Sequence, residues 1–163
     1  MASETLNVSS MLPTKWEGKR KNQWVFMIEG VDAYLIKQAA RPTMSIESVP
    51  IPFMNSTRYV AGKPTWGPMN VVLYDAIAPS GAQQVMEWVR AHFESVSGRK
   101  GYADFYKRDI QIKLLDPVGT VVELWDVKGA QITEANFNEI TYDDHAVAEI
   151  NLTIQIDNAI LQF

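Results

Sequence analysis

The sequence predicts a single, mostly β domain of antiparallel strands with one flanking α-helix at about residues 80–97. Three observations lead there. Several runs alternate apolar and polar residues, most regularly Ile110-Gln111-Ile112-Lys113-Leu114 and Ile150-Asn151-Leu152-Thr153-Ile154-Gln155-Ile156-Asp157. That is the period of a strand with one buried and one wet face. One stretch instead spaces its apolar residues by three and four, as an amphipathic helix does. Finally, 163 residues that are 47% apolar and 21% charged suit one domain with its own core, and no repeat, low-complexity tract or linker divides them.

Residues 1–22 are polar, carry Pro13, Gly18 and the basic cluster Lys15, Lys19, Arg20 and Lys21, and keep neither period; they read as an N-terminal arm. Trp24-Val25-Phe26-Met27-Ile28-Glu29 is aromatic and β-branched, Gly30 punctuates it, and Ala33-Tyr34-Leu35-Ile36-Lys37 follows, which reads as a hairpin. Thr43 to Val49 alternates. Residues 48–64 then hold Pro50, Pro52, Gly62 and Pro64. Proline cannot donate to a sheet ladder, so no central strand is expected there, and the segment reads as a long exposed excursion. Strand character resumes at Trp66 and at Met69 to Asp75. The helix has its apolar stripe at Ala82, Val85, Met86, Val89, Phe93 and Val96, with Trp88 on the stripe's edge and Gln83, Gln84, Glu87, Arg90 and Glu94 opposite. Ser80 is placed to cap its start and Gly98 to stop it. A second hairpin joins Ile110–Leu114 to Val121–Val127 through Asp116-Pro117-Val118-Gly119. Ala130 to Asp144 reads as a polar loop, and Ala146 to Asp157 as a last strand.

The residues that could carry chemistry do not assemble into a site. The absence of cysteine excludes disulfides, thiolate metal sites and a cysteine nucleophile. Of the two histidines, His92 falls on the helix and His145 follows Asp143-Asp144, where consecutive extended residues point to opposite faces and cannot converge on a metal. Gly98-Arg99-Lys100-Gly101 lacks the spacing of a phosphate loop. Glu123 with Asp126 and Glu134 with Glu139 do not converge as an acid and base. The chain therefore reads as a non-enzyme with no catalytic residue, cofactor or metal. Two basic clusters, Lys15–Lys21 around Trp16 and Arg99–Arg108 with Tyr102, Phe105 and Tyr106, have the makings of nucleic-acid contacts. A net charge of −4 weighs against that use. With no signal-peptide pattern and no apolar run of the roughly 20 residues that cross a bilayer, cytoplasmic synthesis without membrane insertion is expected.

Val49-Pro50-Ile51-Pro52-Phe53-Met54-Asn55, Val60-Ala61-Gly62-Lys63-Pro64-Thr65-Trp66 and Val71-Val72-Leu73-Tyr74-Asp75, preceded by Ala39-Ala40-Arg41-Pro42 and followed by the Trp88 helix, resemble the tail tube proteins of contractile-tailed bacteriophages. The resemblance spans about residues 22–157. It implies a β-barrel with a flanking helix, six copies closing into a ring, and stacked rings forming a hollow conduit for genome ejection inside a contractile sheath. Type VI secretion tube proteins share that fold. The implied partners are further copies of the chain, the sheath protein, baseplate and tail terminator proteins, the tape measure protein, and DNA transiently in the lumen. The implied place is the virion tail, assembled in the host cytoplasm. A type VI secretion-like or baseplate tube paralogue, and a monomeric ligand-binding β-barrel, are the alternative readings.

Two sets of residues acquire roles on this reading. Ile51, Phe53 and Met54, with Asn55, Arg58 and Tyr59, are expected at inter-subunit contacts, because a monomer would leave an apolar, proline-rich excursion wet. Asn151, Thr153, Gln155 and Asp157 form a polar strand face without a cation and are expected to line the lumen, where phosphate-binding groups would retard DNA.

Overall fold

The computed structural model describes residues 15–163, so the first part of the predicted arm, residues 1–14, lies outside the described residues. The chain forms β1 (Trp24–Ile28), β2 (Ile36–Ala39), β3 (Met44–Phe53), β4 (Ser56–Trp66), β5 (Met69–Tyr74), α1 (Gly81–His92), a short α2 (Ala103–Tyr106), β6 (Arg108–Leu115), β7 (Val121–Asn136), β8 (Glu149–Gln155) and β9 (Asn158–Leu161). This is the mostly β, antiparallel architecture with one substantial helix that the sequence predicts.

The 16-residue β7 organises the body. Its first half pairs with β6 on one side and β9 on the other, and its second half pairs with β8. One sheet therefore runs β1-β6-β7-β9 and the other β7-β8-β5-β2, with β7 common to both. The strand turns between sheets at Gly129, whose φ of 67° suits glycine and where an added side chain would collide with the Asp157 carboxylate. The inward faces of the two sheets meet in one core. Phe26, Ile28, Ile110, Ile112 and Val127 come from the first, and Met69, Val71, Leu73, Ile150, Leu152 and Ile154 from the second. Strict alternation fixes the register of β8, since a one-residue slip would turn all its isoleucines and its leucine to water.

Helix α1 starts as the sequence predicts: Ser80 accepts a hydrogen bond at Oγ from the Gln83 N–H, and Asp75 Oδ1 accepts another from the Ala82 N–H. It buries Val85 and Trp88 against the core. Trp88, expected at the edge of the stripe, is its centre, 1% exposed, with its indole N–H donating to the Tyr106 carbonyl at 2.6 Å.

Several expectations need correction. Helix α1 ends at His92 rather than 97; Phe93 is already extended and bridges Lys100, while Gly101 N–H takes the His92 carbonyl. Gly98 closes a later turn by donating to the Glu94 carbonyl. Phe93 and Val96 thus lie outside the core, 41% and 97% exposed. Trp24–Ile28 and Ile36–Ala39 do not form a hairpin with each other. β1 pairs with β6 and β2 with β5, and the short link between them carries the chain from one sheet to the other. The proline-rich excursion is itself a hairpin of two long strands, β3 and β4, turning at Met54-Asn55 with Met54 at φ 47°. Each strand of a two-stranded ribbon is an edge, so its prolines can face away from the single ladder. Residues 131–136, expected in a polar loop, continue β7, and β9 is an element the alternation pattern does not announce.

Candidate assembly interfaces

Among the described residues, the β3–β4 hairpin has no core beneath it: every residue of β3 is exposed, and it pairs only with β4. Directly opposed residues share a face, so the register puts Val49, Ile51 and Phe53 with Val60, Arg58 and Ser56 on one side, and Pro50 and Pro52 with Tyr59 and Thr57 on the other. Of the six predicted contact residues, Ile51, Phe53 and Arg58 share the first face, Tyr59 takes the second, and Met54 and Asn55 occupy the tip. Phe53 and Met54 are 69% and 92% exposed. Both faces of the ribbon are sticky.

The predicted lumen residues lie mostly together. Asn151, Thr153 and Gln155 point away from the core on β8, in the middle of the second sheet. Their cross-strand neighbours on that face are Val72 and Asn70 on β5, and Asn136, Glu134 and Gln131 on β7. Asn151 donates to Asn138 at 3.1 Å and Gln155 to the Trp66 carbonyl at 3.0 Å. The surface these rows form is amide-rich and carries one carboxylate. Asp157 does not join it; it lies past the end of β8, where it pairs with Lys107 beside the β7 bend.

Among the described residues, two strand edges of this sheet lack a partner: the outer edge of β2, and residues 131–136 of β7 beyond the Arg108–Ala130 pair. Each opens on a cavity of about 470 Å³. The one beside β7 lies under α1, with Met86, Val89 and Ile132 in its walls and the His92 ring against Tyr106 at 4.4 Å. The one beside β2 is floored by Trp24, Ile112 and Leu114 and rimmed by Lys19, Arg20, Lys21, Lys37 and Arg41.

Near that second cavity lies the buried Glu123, 5% exposed. It receives a 2.6 Å hydrogen bond from the Trp125 indole, pairs with Lys19, and meets Arg41 at 3.5 Å. Burial pushes its carboxyl up, but the hydrogen bonds from Lys19 and Trp125 and the charges of Lys19 and Arg41 outweigh this and hold it below its ordinary value. The sequence pattern sets Glu123 only against Asp126. The signal that could have singled it out is its place in phase with Trp125 and Val127, where an apolar residue is due. The basic cluster of residues 99–108 is partly absorbed by the fold: Arg108 lies 4.9 Å from the Trp88 ring and donates to the Glu29 carbonyl, and Lys107 holds Asp157. No group of side chains suited to a metal occurs among the described residues.

No family model matches the chain, and no curated protein matches it. Solved structures do. The chain is similar to the sheath/tube terminator of the extracellular contractile injection system PVC in its extended state, with a TM-score of 0.73 at 14% identity over 93% of this chain and 100% of that one. It is similar to the tube-terminating cap of the anti-feeding prophage, with a TM-score of 0.75 at 14% identity over 96% and 99%. A chain of the PVC sheath–tube complex in the extended state gives a TM-score of 0.70 at 14% identity over 97% and 99%. At such identities the likeness establishes a shared fold.

Proposed function

We propose that the chain is a structural, non-catalytic subunit of the tube of a contractile tail-like apparatus, its copies closing into rings and the rings stacking. The observation that carries this reading is, among the described residues, an apolar hairpin without a core of its own, attached to a sheet with both edges open. Such features are association hazards in a monomer and become contacts in a closed ring or filament. The shared fold with sheath–tube, terminator and cap chains supports it. Joining the β2 edge of one copy to residues 131–136 of the next would extend one sheet around the ring. Asn151, Thr153 and Gln155 would then face the conduit, and Ile51, Phe53, Met54, Asn55, Arg58 and Tyr59 would meet neighbouring copies. Passage of a genome through a phage tail is the finer form of this proposal, and the cation-poor face of the second sheet suits it.

A second reading, a subunit that ends the tube, draws on the likeness to terminator and cap chains. Electron microscopy of the purified chain separates the two, since a tube subunit gives long tubes and an ending subunit isolated rings. The variant Phe53→Ser/Met54→Ser should melt within about 0.5 kcal/mol of the parent, as exposed substitutions do, and remain unassembled. Tubes or rings from that variant at parental yield would remove the hairpin from the interface.

A further inference from the structure

The charge of the chain is unevenly placed. From Gly129 to Phe163 there is no lysine or arginine, whereas Lys19, Arg20, Lys21, Lys37 and Arg41 gather around one cleft. The loop between β7 and β8, residues 137–148, carries Glu139, Asp143 and Asp144 together with the highly exposed Ile140, Tyr142 and Val147. We propose that this loop of one copy seats in the cation-rimmed cleft of the neighbouring copy. The inference rests on the ring reading above and names the contact that a ring would use.

Chemistry and topology both favour this pairing. The cleft has an apolar floor at Trp24, Ile112 and Leu114 under a basic rim, and the loop interleaves large apolar side chains with carboxylates. A desolvated apolar centre ringed by complementary charge is the form of an energetically useful contact. Among the described residues, four of the five rim cations, Lys19, Arg20, Lys37 and Arg41, share the three carboxylates Glu17, Glu123 and Glu149, so the rim stays positive. Glu149, at the foot of the loop, already holds Lys37 at the rim, which leaves the outer acids for a neighbour. The register adds direction. Asn136, Asn151, Val72 and Gln38 stand in one cross-strand row, and β7 runs antiparallel to β2 across the sheet. Setting the β7 edge of one copy beside the β2 edge of the next therefore delivers Phe137, where the loop begins, to the rows of Ile36 to Gln38, at the cleft.

The test is a charge swap in the full chain, with Arg20→Glu/Lys21→Glu in the rim, Asp143→Lys/Asp144→Lys in the loop, and all four together. Sedimentation would give the concentration at half-assembly, with circular dichroism confirming the fold. Each reversed pair should raise that concentration roughly tenfold or more at low salt, equivalent to about 1.4 kcal/mol, and the four-residue variant should recover most of the loss, as a coupled contact requires. Added salt should weaken the parent and narrow these differences. If a reversed pair fails to fold, the neutral changes Lys21→Gln and Asp144→Asn take its place, with a smaller effect in the same direction. Folded reversals that assemble at the parent's concentration, or a four-residue variant no better than the two-residue ones, overturn the contact, and a cleft that then binds an acidic segment of another protein overturns it equally. A parent chain that stays monomeric at every concentration overturns the ring reading itself, and it does so before any substitution is made.

Discussion

At the scale of single residues, Glu123 shows how a charge can sit in a core position. Its carboxylate is desolvated, yet Lys19, Arg41 and the Trp125 indole supply enough hydrogen bonding and charge to keep it ionised. A carboxyl held below its ordinary value of 4.5 contributes stability that is fully present above that value and lost as pH falls through the lower folded one. Glu123→Gln should therefore flatten the acid limb of a melting-temperature profile and cost about 1–3 kcal/mol near neutrality, because Lys19 and the Trp125 N–H lose their ionised partner. Profiles that run parallel for parent and variant would show that the carboxylate adds nothing to acid sensitivity. The same pairing ties residue 19 to β7, so part of the segment that reads as a loose arm is anchored to the body.

At the scale of elements, α1 separates what local pattern reveals from what it hides. Its start was legible because Ser80 and the first apolar turn are local features. Its end was not, because Phe93 and Val96 keep helical spacing in the sequence after the backbone has left the helix to bridge Lys100. Gly101 settles the matter by taking the His92 carbonyl and passing so close to the Ala91 carbonyl that no side chain fits. Trp88→Ala should consequently cost about 3–5 kcal/mol as a large-to-small core change, while Phe93→Ala should stay within about 1 kcal/mol. Thermal or urea melts compare the two, and equal losses would return Phe93 to the core. The β6–β7 hairpin and the inward face of β8 were likewise legible, since alternation and an Asp-Pro-Val-Gly turn are written in contiguous residues. Strand partners were not. Gly30 between two short strand-like runs looks like a hairpin turn, yet β2 finds its partner 32 to 37 positions further along and β1 finds its partner 82 to 90 positions further along. Gly129 looks like the end of a strand and is instead the bend that lets one strand serve two sheets. Among the candidate contact residues, the exposed apolar groups were legible but not the two-sided ribbon that displays them.

At the scale of the molecule, the second sheet is a four-stranded unit with β8 and β5 inside and, among the described residues, an unpaired edge on each flank. Amide exchange reads this arrangement directly. In the free subunit, β8 amides should be strongly protected, while outward-facing amides of β2 and of residues 131–136 exchange quickly. Ring closure through these edges should slow the exposed amides by at least about tenfold and leave β8 little changed. Equal exchange at the edges before and after assembly would mean that copies join by side chains alone.

The exposed β3–β4 ribbon also bears on calorimetry. Unfolding heat capacity and denaturant sensitivity follow the surface released when a chain opens, and a ribbon that buries little has little to release. The isolated subunit should respond to heat and urea as a shorter chain would, with residues 44–66 nearly silent. The missing heat capacity should reappear, with negative sign, when copies join.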